Sequence, residues 1–89
     1  MLLSLIVCTS NRLLELERLF NSIVKNNKSN LEFEVIVVDQ SIKKSNKKIV
    51  KKYNFIYLHS KKNGLSYSRN IAMKIAKGKF IAFIDDDSY

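Results

Sequence analysis

Four short apolar runs alternate with three helix-patterned stretches, and this order constrains the fold of the chain more than any other feature. The first run, residues 3–8, is Leu-Ser-Leu-Ile-Val-Cys, apolar at nearly every position. A run of that kind is buried on both faces, as in a parallel sheet. Residues 33–39 (Phe-Glu-Val-Ile-Val-Val-Asp), 55–59 and 79–85 repeat the pattern, rich in the Val, Ile and Phe that suit a pleated surface. Between the first two, residues 12–26 place Leu13, Leu16, Phe20, Ile23 and Val24 at three- and four-residue spacing, with Glu15, Arg18 and Asn21 between them. Thr9-Ser10-Asn11 offers helix-capping side chains ahead of that stretch, and the polar residues 26–30 end it. A short basic helix is expected over 46–53. A third helix opens at Leu65 or Ser66 with Ile71, Ala72, Ile75 and Ala76 on its buried face, and Gly78 is expected as its left-handed stop.

Strands alternating with helices predict an α/β, Rossmann-like three-layer sandwich with a parallel sheet. Right-handed crossovers leave strand order 3-2-1-4 as the expected topology, with the switch point between strands 1 and 4. Ligands in such sheets bind beyond the carboxyl ends of the strands. The residues at that edge are therefore 9–12, 39–41, 60–64 and 85–87.

Eighty-nine residues fit one domain or part of one. The single cysteine, Cys8, excludes an intrachain disulfide and a multi-cysteine zinc site, and its strand position reads as a small core residue. No apolar run approaches the ~20 residues of a membrane span, and Met1-Leu2-Leu3 lacks a basic leader region. A cytoplasmic location is expected. The net charge is +8, and Lys43, Lys44, Lys47, Lys48, Lys51, Lys52, Lys61 and Lys62 lie in one stretch without an acid. Such a face is solvated, and it favours peripheral contact with an anionic membrane. No stacking-aromatic ladder or nucleic-acid motif accompanies it, so nucleic acid is not an expected partner.

Asp85-Asp86-Asp87 follows a buried strand to its exit. Crowded carboxylates are relieved by a cation, and Asp85 and Asp87 are spaced to meet one hard metal ion, Mg²⁺ or Mn²⁺, with substrate phosphates completing its shell; a solvated acidic turn is the plain alternative. Asp39 ends strand 2, where an acid either reads a nucleotide or makes an Asx turn. A charged group there is expected to face solvent or ligand. Gly64 and Gly78 are the only glycines, which excludes the glycine-rich dinucleotide and P-loop motifs. Arg69 and Asn70 stand on the first turns of helix 3 at the ligand edge, and Arg12 holds a similar place on helix 1. His59 has no partner at a recognisable catalytic spacing and reads as a strand-end or surface residue. A phosphorelay receiver would carry an acidic pair after strand 1, where Thr9-Ser10-Asn11 stands instead.

With these residues in place, the chain resembles the nucleotide-sugar-binding part of a family 2 glycosyltransferase of the inverting GT-A type. The resemblance is carried by residues 6–12 (Ile-Val-Cys-Thr-Ser-Asn-Arg), Val37-Val38-Asp39-Gln40-Ser41, Asn63-Gly64-Leu65-Ser66 with Ser68-Arg69-Asn70 and Ala76-Lys77-Gly78, and Phe83-Ile84-Asp85-Asp86-Asp87. It covers essentially the whole chain, residues 1–89, as the N-terminal donor-binding portion of a longer domain. It implies a nucleoside-diphosphate sugar as partner, Mn²⁺ or Mg²⁺ as cofactor, and a role in building cell-surface polysaccharides. Thr9 and Asn11 would meet the nucleoside, Asp39 the base, and Arg69 would lie near the nucleotide. Asp85 and Asp87 match the family's D-x-D element for ribose and metal. Gln40 stands where relatives often have a second acid. In the family the acceptor half and its general base come later, so no residue here takes the catalytic role and the acceptor is not specified. The chain alone is expected not to transfer sugar, and to self-associate through an exposed strand 4. A non-catalytic nucleotide- or metal-binding module, and a basic binder of anionic surfaces or nucleic acid, are the competing readings.

Overall fold

In the computed structural model, residues 2–9, 13–26, 32–41, 46–60 and 65–85 are described. Their elements run β1 (Leu3–Thr9), α1 (Leu13–Asn26), β2 (Phe33–Asp39), α2 (Lys47–Lys52), β3 (Ile56–His59), α3 (Leu65–Ile75) and β4 (Phe80–Asp85). The sheet order is β3-β2-β1-β4, and every pairing is parallel. Both match the expectation. β1 runs one residue further than its apolar stretch, to Thr9, and β3 starts one residue later, at Ile56.

The two sheet faces carry separate cores. On one, Val7, Val35 and Val37 meet Leu16, Leu19 and Phe20 of α1 and Ile49 and Val50 of α2. On the other, Ile6, Ile36 and Val38 meet Ala72, with Ile71 and Ala76 beside it. The central strands therefore bury both faces, and β2 is buried without interruption from Val35 to Asp39.

The helix stripes differ from the expected ones in two places. On α1 the buried positions are Leu16, Leu19 and Phe20, and Val24 is 54% exposed. At 100° per residue Val24 lies about 80° round from Leu16, outside the arc of about 100° that runs from Leu19 through Ile23 and Leu16 to Phe20. On α3 Ile75 is exposed, and Ser68 fills the stripe one turn before Ala72.

Gly78 is not a left-handed stop. Its backbone lies outside that region, and its role is close approach: a Cβ there would come 2.5 Å from the Ser4 nitrogen and 2.7 Å from the Leu3 carbonyl carbon. A side chain would have to push backbone aside, a cost of about 1–3 kcal/mol or more. The same turn is fastened by polar groups. Gly78 N–H donates to Ser4 Oγ (2.8 Å), Ser4 Oγ–H donates to Glu34 Oε2 (2.6 Å), and Lys77 N–H donates to that same oxygen (2.7 Å). The return from α3 is thereby fixed at the amino-terminal edge, and the carboxyl-terminal edge is left for the loops.

Candidate functional site

At that carboxyl edge the strand register aligns Thr9 of β1 with Asp39 of β2 and Asp39 with His59 of β3, while Cys8 is level with Asp85 of β4. The row continues into the exits: Gln40 N–H donates to the Thr9 carbonyl (2.8 Å) and Ser60 N–H to the Asp39 carbonyl (2.9 Å). Parallel pairing thus brings Thr9, Asp39 and the start of the Asp triplet to one rim. Asn11, Arg12, Gly64, Asp86 and Asp87 lie outside the described residues.

Asp39 departs from its expected placement. Its side chain does not face solvent; it is fully buried and surrounded by donors of its own chain. Oδ1 accepts from Ser41 N–H (2.9 Å), closing an Asx turn, and from Asn46 Nδ2 (3.2 Å). Oδ2 accepts from Tyr57 O–H (2.8 Å) and Asn46 N–H (3.4 Å). A buried charge requires such partners. The consequence is structural: Asp39 ties the β2 exit to the first residue of α2 and to β3.

Three residues of this cluster were not singled out in the sequence. Asn46 precedes α2, but its side chain makes no capping bond to the helix and turns to Asp39 instead. Its Oδ1 is buried with no hydrogen-bond partner among the described residues. Tyr57 reaches Asp39 because it pairs with Val37 in register, two residues before Asp39 pairs with His59 and on the same face of the sheet. Ser41 belongs to the Val37–Ser41 segment at the ligand edge, where the sequence assigns it no role of its own. An asparagine seven residues after a strand-end aspartate, at a helix start, is the one signal that could have marked the cluster. His59, read as a strand-end residue, is half-buried and its Nε2–H donates to the Ser41 carbonyl (2.7 Å).

The Tyr57 hydroxyl is held well above its ordinary pKa, first by burial, then by the hydrogen bond to Asp39 and that carboxylate's charge. The folded state therefore keeps this proton to higher pH than the unfolded chain. Its stabilisation is complete below the ordinary phenol value of ~10 and is lost as pH rises through the raised folded value. Tyr57→Phe is expected to be less stable than the parent at neutral pH, with the gap narrowing above about pH 10. Urea midpoints of both proteins across an alkaline series measure this.

On the other side of Asp39, Gln40 Nε2 donates to the buried Ser68 Oγ of α3. One residue on, the Arg69 guanidinium lies over the Phe83 ring of β4, 4.7 Å from its centroid. That stacking is a cation–π contact. Its Nε is buried and has no hydrogen-bond partner among the described residues. Arg69 thus links α3 to β4, one of the two strands that flank the switch point, whereas Asn70 beside it is exposed. Cys8 is half-buried rather than fully enclosed. Among the described residues, no group of three or more His, Cys, Asp or Glu could hold a metal ion.

Comparison with known proteins agrees with this geometry. The profile of glycosyl transferase family 2 matches residues 4–89. The poly(ribitol-phosphate) beta-N-acetylglucosaminyltransferase TarS of Staphylococcus aureus is 36% identical over 92 residues, which cover 97% of this chain and 16% of TarS. The crystal structure of S. aureus TarS 1-349 in complex with UDP-GlcNAc superposes with a TM-score of 0.84 at 37% identity, over 98% of this chain and 27% of that one. The mannosyltransferase PcManGT of Pyrobaculum calidifontis, in complex with GDP-Man and Mn²⁺, reaches a TM-score of 0.84 at 20% identity, a likeness of fold. The chain thus spans about a sixth of the length of full TarS.

Proposed function

Because the chain belongs to glycosyl transferase family 2 and its four-stranded sheet is that of GT-A glycosyltransferases, we propose that it is the donor-binding portion of an enzyme that transfers a sugar from a nucleoside-diphosphate sugar to an acceptor. The observation that carries the reading is the alignment of Thr9, Asp39 and the Asp85 strand end at one edge of the sheet, beside Arg69. TarS binds UDP-GlcNAc, so a UDP-linked N-acetylhexosamine is the first donor to test, with a cell-surface polymer as acceptor.

In this reading Thr9 and Asn11 meet the nucleoside and Arg69 lies near the nucleotide. Asp39 acts at the base in two ways. It holds the 39–46 connection in place, and it offers the base an acceptor where its bond to Asn46 N–H is longest, at 3.4 Å. Asp85 and Asp87 would hold a divalent ion; two carboxylates plus phosphate oxygens suit Mg²⁺ or Mn²⁺. Such an ion supplies Lewis-acid neutralisation of the departing diphosphate. The general base that takes the acceptor proton is not among the residues assigned here, so transfer belongs to the longer protein and not to residues 1–89 alone.

The same reading places the protein in the cytoplasm, against an anionic membrane. Lys47, Lys48, Lys51 and Lys52 of α2 are all exposed while Ile49 and Val50 anchor the helix, which leaves a basic face free to meet acidic headgroups. No described helix is long and apolar enough to cross a membrane.

Calorimetry with UDP tests the site. Binding is expected to tighten at least about tenfold when Mn²⁺ or Mg²⁺ replaces excess chelator, the order of one charge-assisted contact. Asp87→Ala is expected to abolish that gain. Equal affinity with and without metal would remove the metal from the proposal, and no binding of any nucleoside diphosphate would remove the donor site.

A further inference from the structure

α3 meets the sheet through a narrow stripe. Ser68 and Ala72 are fully buried, and the helix packs chiefly over β1 and β2, where Ala72 joins Ile6, Ile36 and Val38. At 100° per residue Arg69 stands about 80° round from the line between Ser68 and Ala72. The two neighbouring side chains reach to either side of β1. Ser68 Oγ accepts from Gln40 at the β2 exit, and Arg69 spans to Phe83 of β4. Phe83 is level with Ile6 of β1 and stands two residues, about 7 Å, before the end of its strand at the rim.

The contact between Arg69 and Phe83 has a particular chemistry. The guanidinium carbon lies 4.7 Å from the ring centroid. The side chain is half-buried, and its Nε is buried with no hydrogen-bond partner among the described residues. A ring face attracts a cation, but it neutralises none of the charge and accepts none of the five N–H donors in the usual sense. A carboxylate at position 83 would hold the guanidinium equally well, and would compete with any anionic ligand for it. The ring fixes the cation and leaves its charge to a second anion. With Nε turned inward, such an anion meets the terminal amino groups, whose parallel N–H bonds match two oxygens of a phosphate. A free arginine side chain loses much rotamer freedom on binding, and one already seated on a ring loses less.

We propose that Phe83 is a positioning residue for donor binding: its ring holds the Arg69 guanidinium toward the rim, where the guanidinium takes phosphate oxygens of a nucleoside diphosphate. This rests on the donor-binding reading above and adds to it a residue that acts on the ligand only through Arg69. The buried Ser68, tied to Gln40, fixes the backbone from which Arg69 reaches, and Phe83 fixes the far end of the side chain.

Nuclear magnetic resonance titrations with UDP and with uridine, both in Mg²⁺, test the proposal on the parent and on Phe83→Leu, Phe83→Tyr, Arg69→Ala and the Arg69→Ala/Phe83→Leu double variant. Phe83→Leu keeps an apolar side chain on β4 and removes the ring. It is expected to weaken UDP about fivefold, the order of one cation–π contact, and to leave uridine unchanged. Phe83→Tyr keeps the ring face and is expected to bind UDP within about twofold of the parent. On the Arg69→Ala background Phe83→Leu is expected to cost nothing further, because the ring has lost the group it positions. Parental UDP affinity in Phe83→Leu overturns the platform. So does an equal loss for UDP and uridine, which is the mark of a merely structural role, or a full further loss in the double variant. A parent that binds no nucleoside diphosphate overturns the donor-binding reading itself, a result distinct from a parent that binds UDP and is indifferent to Phe83.

Discussion

Asp39→Ala is expected to cost the fold about 3–5 kcal/mol, because it strips four donors of their acceptor at once. Ser41 and Asn46 are both buried, so their N–H groups would have no water to turn to. Each unsatisfied buried donor costs roughly 1–3 kcal/mol, less than additively within one cluster. A chain of this length has roughly 4–13 kcal/mol of stability in all, so the variant stands near its unfolding threshold. Urea denaturation gives the difference directly. Asp39→Asn retains one acceptor oxygen and the shape of the turn, and it is expected to lose less than half as much. An unchanged midpoint for Asp39→Ala would mean that the carboxylate does not hold the β2 exit. Nucleotide affinity in this series is interpretable only on the folded fraction, because the same carboxylate serves loop and ligand.

Phe20→Ala is the second large loss, again about 3–5 kcal/mol, the usual range for a fully buried aromatic. Phe20 is fully buried and makes edge-on contacts with Tyr53 (5.2 Å between centroids) and Phe55 (4.9 Å), which stack on each other at 5.6 Å. The three rings lock α1 to the α2–β3 corner, and Tyr53 O–H donates to Asn21 of α1 at 2.6 Å. The variant is expected to lower the denaturation midpoint and to weaken the near-ultraviolet tyrosine signal together. Val24→Ala on the same helix is the control; at 54% exposure it is expected to change stability by less than about 0.5 kcal/mol. Equal effects at the two positions would contradict the assignment of the buried stripe.

Membership of a metal-using class of fold does not make every carboxylate at the rim equivalent. Asp39 accepts from four donors of its own chain, whereas Asp85 ends β4 and is followed in sequence by Asp86 and Asp87. The two acids therefore divide the rim into a side held by the chain's own hydrogen bonds, between β2 and β3, and a side at the end of β4 where the proposed divalent ion would bind.

Period and burial pattern alone determined the strands, the helices, the parallel sheet and the 3-2-1-4 order. Runs apolar at nearly every position suit burial on both faces, and right-handed crossovers leave little topological choice. The same pattern put Thr9, Asp39 and Asp85 on one edge, because residues that end neighbouring parallel strands must meet there. Tertiary structure alone decided what those residues touch. Asn46 and Tyr57 are seven and eighteen residues from Asp39, and neither spacing is a local signal; β2–β3 pairing and the start of α2 bring them in. Gly78 shows the same division. Sequence placed a glycine after a helix, where chain curvature is the usual reason, but the close approach of β1, more than seventy residues away, is what excludes a side chain. Local periodicity records which face of an element is apolar, and it carries no record of which distant backbone or donor will be packed against that face.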